Sequence, residues 1–289
     1  MESDKYGKRT EIQQPWKDEN FCRVQAGEHG GVHVWIHEAE EKEEGEREMI
    51  DFGFYNMDCM DGMKEFPDKY FELSIVDPEY GLREHGGKNR SGYVLQKNGT
   101  RIYVKDGGYV NRGWDYAPPG KEYFAELMRV SKNQIVWGCN YFDYPFIGGR
   151  IIWDKCNDGS DQSGAEIAYC SLNNRVDIFR YMWCGMFQGK SIAEGTVQQG
   201  NKKLNEKRIH PTQKPIALYD WILSRYAHKG DKILDTHVGS ASSLIACHKN
   251  GYKYVGFELD PYYYKLAKER LEAEESQMNF FDFPEVLPK

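Results

Sequence analysis

The stretch Lys232–Leu259, KILDTHVGSASSLIACHKNGYKYVGFEL, decides the fold. Lys232 to Leu234 reads as a short apolar strand that stops at Asp235. A run of small residues follows, Gly239-Ser240-Ala241-Ser242. Ser242 to Lys249 then has helical character and closes on Asn250-Gly251. Tyr252 to Phe257 is a second strand, ending at Glu258, 23 positions after Asp235. This is the layout of a nucleotide-type site in a doubly wound sheet. Ligands lie beyond the carboxyl ends of the strands, and small residues let the backbone approach them. An acid about 20 positions on can bind ribose hydroxyls. The loop is not GxGxxG, because Ala241 stands where a glycine is expected, which weighs against a dinucleotide. By itself the stretch also suits an NAD site or an ordinary strand–turn–helix.

Working outward, the same alternation recurs. Downstream, Asp260-Pro261 opens a helix to about Glu275. Upstream, Pro215 to Tyr226 is a helix with proline at its start, where a missing N–H costs nothing. Phe52 to Asn56 suits a strand, Met57 to Phe66 a helix and Pro67-Asp68 a turn. Phe71 to Val76, FELSIV, is apolar throughout and ends abruptly at Asp77-Pro78, as a buried parallel strand does. Lys121 to Val130 is helical. Gln134 to Gly138, Arg150 to Trp153, Glu166 to Ser171 and Phe179 to Trp183 read as strands. Strands alternating with helices predict an α/β fold with a parallel-rich sheet.

Three regions stand apart. Residues 1–50 are polar, hold only short apolar pieces such as Val32–Ile36, and read as an extension with room for one hairpin, ending in an acidic linker. The domain proper is expected over 51–289. Residues 82–115, rich in Gly, Lys, Arg and Asn, read as a long mobile loop, and residues 185–209 are polar again.

The formal net charge is −7, but the run Glu38–Glu48 alone carries −5. Arg83 to Lys105 and Lys202 to Lys214 lean basic, so local phosphate contact is compatible with the whole. Seven scattered cysteines with no CxxC pair predict neither a zinc site nor a disulfide framework, and they fit a reducing cytoplasm. No stretch approaches the ~18–20 apolar residues of a membrane span, and MESDKYGKRT lacks the apolar core of a secretory signal.

Asp77-Pro78-Glu79-Tyr80-Gly81 sits at the C-terminal end of FELSIV, where such a sheet places its chemistry. An aromatic amino group is a poor nucleophile because its lone pair is delocalised. A carboxylate and a backbone carbonyl can accept its N–H bonds and localise that pair. Proline stiffens the turn, and tyrosine can stack on a base taken out of a duplex. An isolated DPxY is also compatible with a plain Asp-Pro turn.

Together the two ends resemble the β group of DNA amino-methyltransferases, over about Phe54 to Leu271. Asp77-Pro78-Glu79-Tyr80 is similar to its catalytic DPPY, and Asp235–Ser242 to a degenerate DPF-x-GSGT. Between them lies His210-Pro211-Thr212-Gln213-Lys214-Pro215, the group's HPTQKP. Asn56-Met57-Asp58-Cys59 resembles the acidic step before the catalytic strand, and Ile152-Trp153-Asp154-Lys155 the W-x-K strand. The resemblance implies a Rossmann-like sheet, helices on both faces, inserted recognition loops and S-adenosylmethionine as cofactor. Asp58 would contact the cofactor's adenine, Thr212 and Lys214 would lie by its methionine end, and Glu258 would hold the ribose. Asp235, His237, Gly239 and Ser240 would form the loop beneath it. Asp77, the Pro78 carbonyl and Tyr80 would hold the flipped base, with direct transfer, no metal and no cysteine nucleophile. The leading Asp favours adenine N6 over cytosine N4. Double-stranded DNA is the expected partner, 82–115 and 156–207 the expected reading segments, and a homodimer is compatible with the group. Restriction, epigenetic marking and phage self-protection would look alike.

The departures are Glu79 for the second proline, Thr236 for Pro, His237 for Phe and Ala241 for Gly. Glu79 predicts a looser, slower turn that Glu79→Pro would speed. It also leaves open a silent module that binds nucleic acid or supports a partner. An enzyme acting on RNA or a small molecule is a third reading.

Overall fold

The computed structural model describes residues 25–26, 32–33, 50–82, 92–95, 99–104, 115–157, 163–184, 187–189 and 205–281. The chain divides into two units, Met1–Arg47 and Glu48–Lys289. In the first, β1 (Gln25–Ala26) pairs antiparallel with β2 (Val32–His33). The acidic run 38–48 lies outside the described residues.

The second unit is built on an eight-stranded sheet. In chain order its elements are β3 (Gly53–Tyr55), α1 (Cys59–Lys64), β4 (Phe71–Val76), β5 (Gly92–Leu95), β6 (Arg101–Val104) and α2 (Lys121–Val130). Then come β7 (Ser131–Trp137), β8 (Gly149–Asp154), β9 (Ala165–Cys170), β10 (Val176–Arg180), β11 (Met182–Cys184) and β12 (Phe187–Gly189). The chain continues through α3 (Ile216–Tyr226), β13 (Lys232–Asp235), α4 (Ser242–Lys249), β14 (Lys253–Phe257) and α5 (Pro261–Phe281). The strand order is β10-β8-β9-β7-β4-β13-β14-β3. Only β9 runs antiparallel to its neighbours; every other pairing in this sheet is parallel.

Alternation along the strands feeds two cores. Ile135, Trp137 and Ile233 face α3, α4 and α5, whereas Val136 and Leu234 face α1 and α2. Successive strand residues point to opposite faces, so helices cover both. That is the doubly wound, Rossmann-like arrangement the sequence predicts. β4 and β13 are adjacent at its centre, and their crossovers leave in opposite directions, β4 through α2 to β7 and β13 through α4 to β14. The crevice beyond their carboxyl ends is the topological switch point, the place where such sheets hold ligands.

Four sequence expectations need correcting. The segment 82–115 is not all loop, because β5 and β6 form an antiparallel hairpin within it. Gly99, between the two strands, has φ +81, in the left-handed region that favours glycine. The rest of that segment lies outside the described residues. The single strand expected over Phe179–Trp183 is two. β10 stays with β8, and the chain breaks at Tyr181, whose N–H donates to the Asp154 carbonyl, before β11 pairs with β12. The segment 156–207 is not wholly an insertion, since β9 and β10 are strands of the main sheet. The last helix runs to Phe281, past Glu275.

No helix among the described residues is long and apolar enough to cross a membrane.

Candidate active site

The turn after β4 carries Asp77, Pro78 and Tyr80. Tyr80 donates its hydroxyl to Asp77 Oδ1 at 2.7 Å. Lys214 Nζ grips Asp77 Oδ2, lies 3.0 Å from Glu166 Oε2 and sits 3.2 Å from the Tyr80 hydroxyl. Lys155 Nζ meets the other Glu166 oxygen at 2.6 Å. Two ammoniums and two carboxylates therefore balance in one largely buried network, the arrangement that makes burying charge tolerable. Burial opposes ionisation of Glu166, yet Lys214 and Lys155 hold it down to about 2. Burial likewise works against the Lys214 charge, but Asp77 and Glu166 outweigh it and raise Lys214. Burial pushes Asp77 upward, with Lys214 opposing.

Tyr80 is clamped. Its ring stacks on Tyr141 with centroids 4.8 Å apart and planes at 18°. Gly138, at φ +69, leaves room for it, since a Cβ there would lie 2.0 Å from Tyr80 Cε1. The Gly81 N–H donates to Asp115 Oδ1 at 2.7 Å and ends the turn.

The loop after β13 faces this turn. Asp235 accepts from the His237 N–H at 3.0 Å and from the Ser243 hydroxyl, and burial pushes it up to about 6. Glu258, at the end of β14, accepts from Gly239 N–H at 2.8 Å and Asp260 N–H at 2.9 Å. Burial pushes Glu258 up to about 7. Each of its oxygens takes one backbone N–H, leaving acceptor capacity on both for hydroxyls. Gly239 has φ +57 and faces the His210 ring, so the HPTQKP segment forms a wall of the same loop. Thr212 lies in that wall, its hydroxyl 3.1 Å from His210 Nδ1. Ser240 is buried, and its carbonyl accepts from Arg270 Nη1 at 2.6 Å. Arg270 in turn pairs with Glu206 at 2.9 Å, and Glu206 Oε1 caps the first N–H of α3 at 3.0 Å.

The expected site residues thus gather around one crevice, with two adjustments. Lys214, expected by the methionine end of the cofactor, meets the Asp77 and Glu166 carboxylates. Asp58 is exposed and caps α1, accepting from the Met60 N–H at 2.8 Å. Within HPTQKP, Gln213 shapes the loop by accepting the Ile209 N–H at 2.9 Å, and Pro215 takes the N-cap position of α3.

Glu79 corrects a third expectation. It is not a loose substitute for proline: its Oε2 lies 3.3 Å from His237 Nε2. Glu166, Tyr141, Tyr123, Glu206 and Arg270 escaped sequence reasoning altogether, because their partners lie far away along the chain. The thiol of Cys59 is pushed up to about 12 chiefly by burial, with Asp58 and Glu79 adding to the rise. Among the described residues no cluster of His, Cys, Asp and Glu side chains is placed to hold a metal.

A doubly wound sheet with a DPxY turn facing a small-residue loop and an HPTQKP wall defines the class, and comparison with known proteins agrees. Residues 152–269 match the N6_N4_Mtase family model, described as DNA methylase. The chain is similar to Type II methyltransferase M2.DpnII of Streptococcus pneumoniae, 36% identical over 70% of this chain and 83% of that protein. YubD of Escherichia coli (strain K12) is 32% identical over 78% and 92% of the two chains. The crystal structure of an M1.HpyAVI–SAM complex superposes with a TM-score of 0.45 at 18% identity, covering 75% of this chain and 98% of that one. The chain belongs to the N6/N4 family of DNA methylases.

Proposed function

We propose that this protein transfers a methyl group from S-adenosylmethionine to an exocyclic amino group in double-stranded DNA, and that the target is adenine N6. The acceptor set at the end of β4 carries the reading. Asp77 is an acceptor held in place by Tyr80 and Lys214. Accepting an N–H of the target amine, Asp77 and the Pro78 carbonyl would localise its lone pair on nitrogen. Asp77 is also placed to take the proton that the nitrogen gives up. Tyr80, extended by the half-exposed Tyr141, offers an aromatic surface for a base taken out of the duplex.

The donors and acceptors present fit the cofactor. The free acceptor capacity of Glu258 suits ribose hydroxyls, and Asp235, His237, Gly239 and Ser240 form a close-approach loop. Asp58 is assigned to the adenine end and Thr212 to the methionine end. When bound, S-adenosylmethionine supplies a methyl group on a sulfonium, which leaves without passing through a protein nucleophile. The leading Asp of the tetrapeptide supports adenine.

The hairpin β5–β6 is the element proposed to meet DNA. Tyr93 and Tyr103 face each other across it, 73% and 59% exposed, with exposed Arg101 beside them.

The test is to incubate the protein with labelled cofactor and unmethylated mixed-sequence duplex, digest the product and identify the labelled nucleoside by mass spectrometry. Labelled N6-methyladenine, absent in Asp77→Ala, is the expected result. Label on cytosine N4 would overturn the base, and no label despite cofactor binding would overturn the activity.

A further inference from the structure

We infer that Glu79 and His237 form a cross-loop latch that holds the catalytic turn against the cofactor loop, making both of them positioning residues for methyl transfer. This rests on the methyl-transfer reading above.

The pair bridges the loops that follow the adjacent central strands β4 and β13. Glu79 Oε2 meets His237 Nε2 at 3.3 Å. On the other side of the ring, Nδ1 lies 2.9 Å from the Thr236 hydroxyl, which lies 2.6 Å from the Tyr123 hydroxyl on α2. The Tyr123 ring also meets the imidazole edge-on at 5.3 Å. Both ring nitrogens are therefore engaged, as an imidazolium donating twice would be. The groups facing the ring are Glu79 from the catalytic turn, Asp235 from the end of its own strand, Glu258 from the end of β14, and the hydroxyls of Thr236 and Tyr123. His210 is the further titratable group that reaches Glu79, and burial pushes it down to about 3, so it carries no charge near neutral pH.

Burial disfavours the His237 cation, but the surrounding carboxylates, Glu79 foremost, outweigh it and raise His237. Burial works against the Glu79 anion too, and His237 overcomes it and holds Glu79 below its ordinary range. The pair is thus ionised from below the usual carboxylate range to above the usual imidazole range.

A proline at position 79 would stiffen the turn from within by fixing φ. Here rigidity comes from across the crevice. Residues 79, 236 and 237, three of the positions at which the chain departs from the motifs it resembles, form one connected set. The latch links Asp77 and Tyr80 to the loop that carries the cofactor, so losing it misorients the reacting groups rather than removing either binding site.

The experiment uses the full-length protein and the variants Glu79→Gln, His237→Phe and Glu79→Pro/His237→Phe. Steady-state methylation gives kcat and both KM values from about pH 6 to 9, a range that brackets imidazole titration. NMR of the His237 ring follows its titration directly. Each single variant is expected to lower kcat about tenfold, and in Glu79→Gln, which leaves the residues of the cofactor loop in place, the cofactor KM should stay within about twofold. The double variant should lose no more than either single, because the interaction is removed once and the proline restores stiffness. Wild-type kcat should fall as pH rises through the raised His237 value, and that limb should move to lower pH in Glu79→Gln. Multiplicative losses, or a limb that stays in place, would overturn the latch. An unchanged ring titration in Glu79→Gln would overturn it whether or not the protein methylates DNA. A shifted titration in a protein that methylates nothing would instead sink the methyl-transfer reading and leave the pair standing.

Discussion

Lys214 and Glu166 meet at 3.0 Å although 48 residues separate them in the chain, and the same ammonium grips Asp77. Glu166 stands on the sheet's one antiparallel strand, β9, and Lys214 ends the segment that leads into α3. The antiparallel turn-back of β9 is thus what supplies the second carboxylate that fixes the lysine on the first.

Removing one partner leaves the others buried and unbalanced. Glu166→Gln is expected to cost about 2–4 kcal/mol of folding stability, read by urea denaturation, after discounting for partial exposure. Glu166 is held low, so its contribution is present above the ordinary carboxylate range and is lost as pH falls toward about 2. Wild type and Glu166→Gln should therefore converge in strongly acid solution. Parallel stability curves down to that pH would count against the pairing.

Cofactor affinity should depend on Glu258. Burial pushes this group up to about 7. Its anion, which would accept ribose hydroxyls at full capacity, dominates above that pH and is lost below it. Calorimetry should show binding weakening by up to about tenfold from pH 8 to 6, and Glu258→Gln should flatten the profile. The sign for the unliganded fold is opposite. A raised carboxyl stabilises as pH falls from about 7 toward its unfolded value, so weaker binding at pH 6 could not be blamed on a looser fold.

Ala241 occupies the left-handed region, φ +60 and ψ 20, at the N-cap of α4, fully buried. A Cβ there costs about 1–2 kcal/mol, and glycine loses about 0.5–1 kcal/mol of that advantage through its freer unfolded chain. Ala241→Gly should stabilise by up to about 1 kcal/mol, visible as a raised Tm. A lowered Tm would show that the methyl's packing outweighs the strain.

Gly138→Ala tests the clamp on Tyr80. The added Cβ would fall 2.0 Å from the ring, at a backbone φ of +69. Methylation should drop by about a hundredfold through misplacement of the ring, while cofactor binding is preserved. Wild-type turnover in this variant would show that the Tyr80 ring is free to move.

Tyr93→Ala/Tyr103→Ala, on the exposed face of the hairpin, should weaken duplex binding by about 1–3 kcal/mol, the loss expected for aromatic stacking on bases, without changing cofactor affinity. Fluorescence anisotropy at two salt concentrations separates this from Arg101→Ala, which should instead reduce the salt dependence. Unaltered binding in both variants would remove the hairpin from the interface.

What the sequence by itself determined is everything local. The turn of the chain at Asp77-Pro78, the small-residue loop from Gly239 to Ser242, the proline start of α3 and the Asn250-Gly251 end of α4 are written in neighbouring residues, because φ preferences and apolar periodicity act over a few positions. The class of site followed from the resemblance of those pieces, in their order, to a known family. What only the tertiary structure decided is which charges meet. Glu166 reads in sequence as one polar residue of a strand, Lys214 as a motif residue assigned to the cofactor, and Glu79 as a defect in a turn. Their partners stand 48, 137 and 158 positions away, in Lys214, Asp77 and His237. Electrostatic pairing in a buried crevice depends on distance in space, and only the crossing of β4, β9 and β13 in one sheet brings those groups within 4 Å.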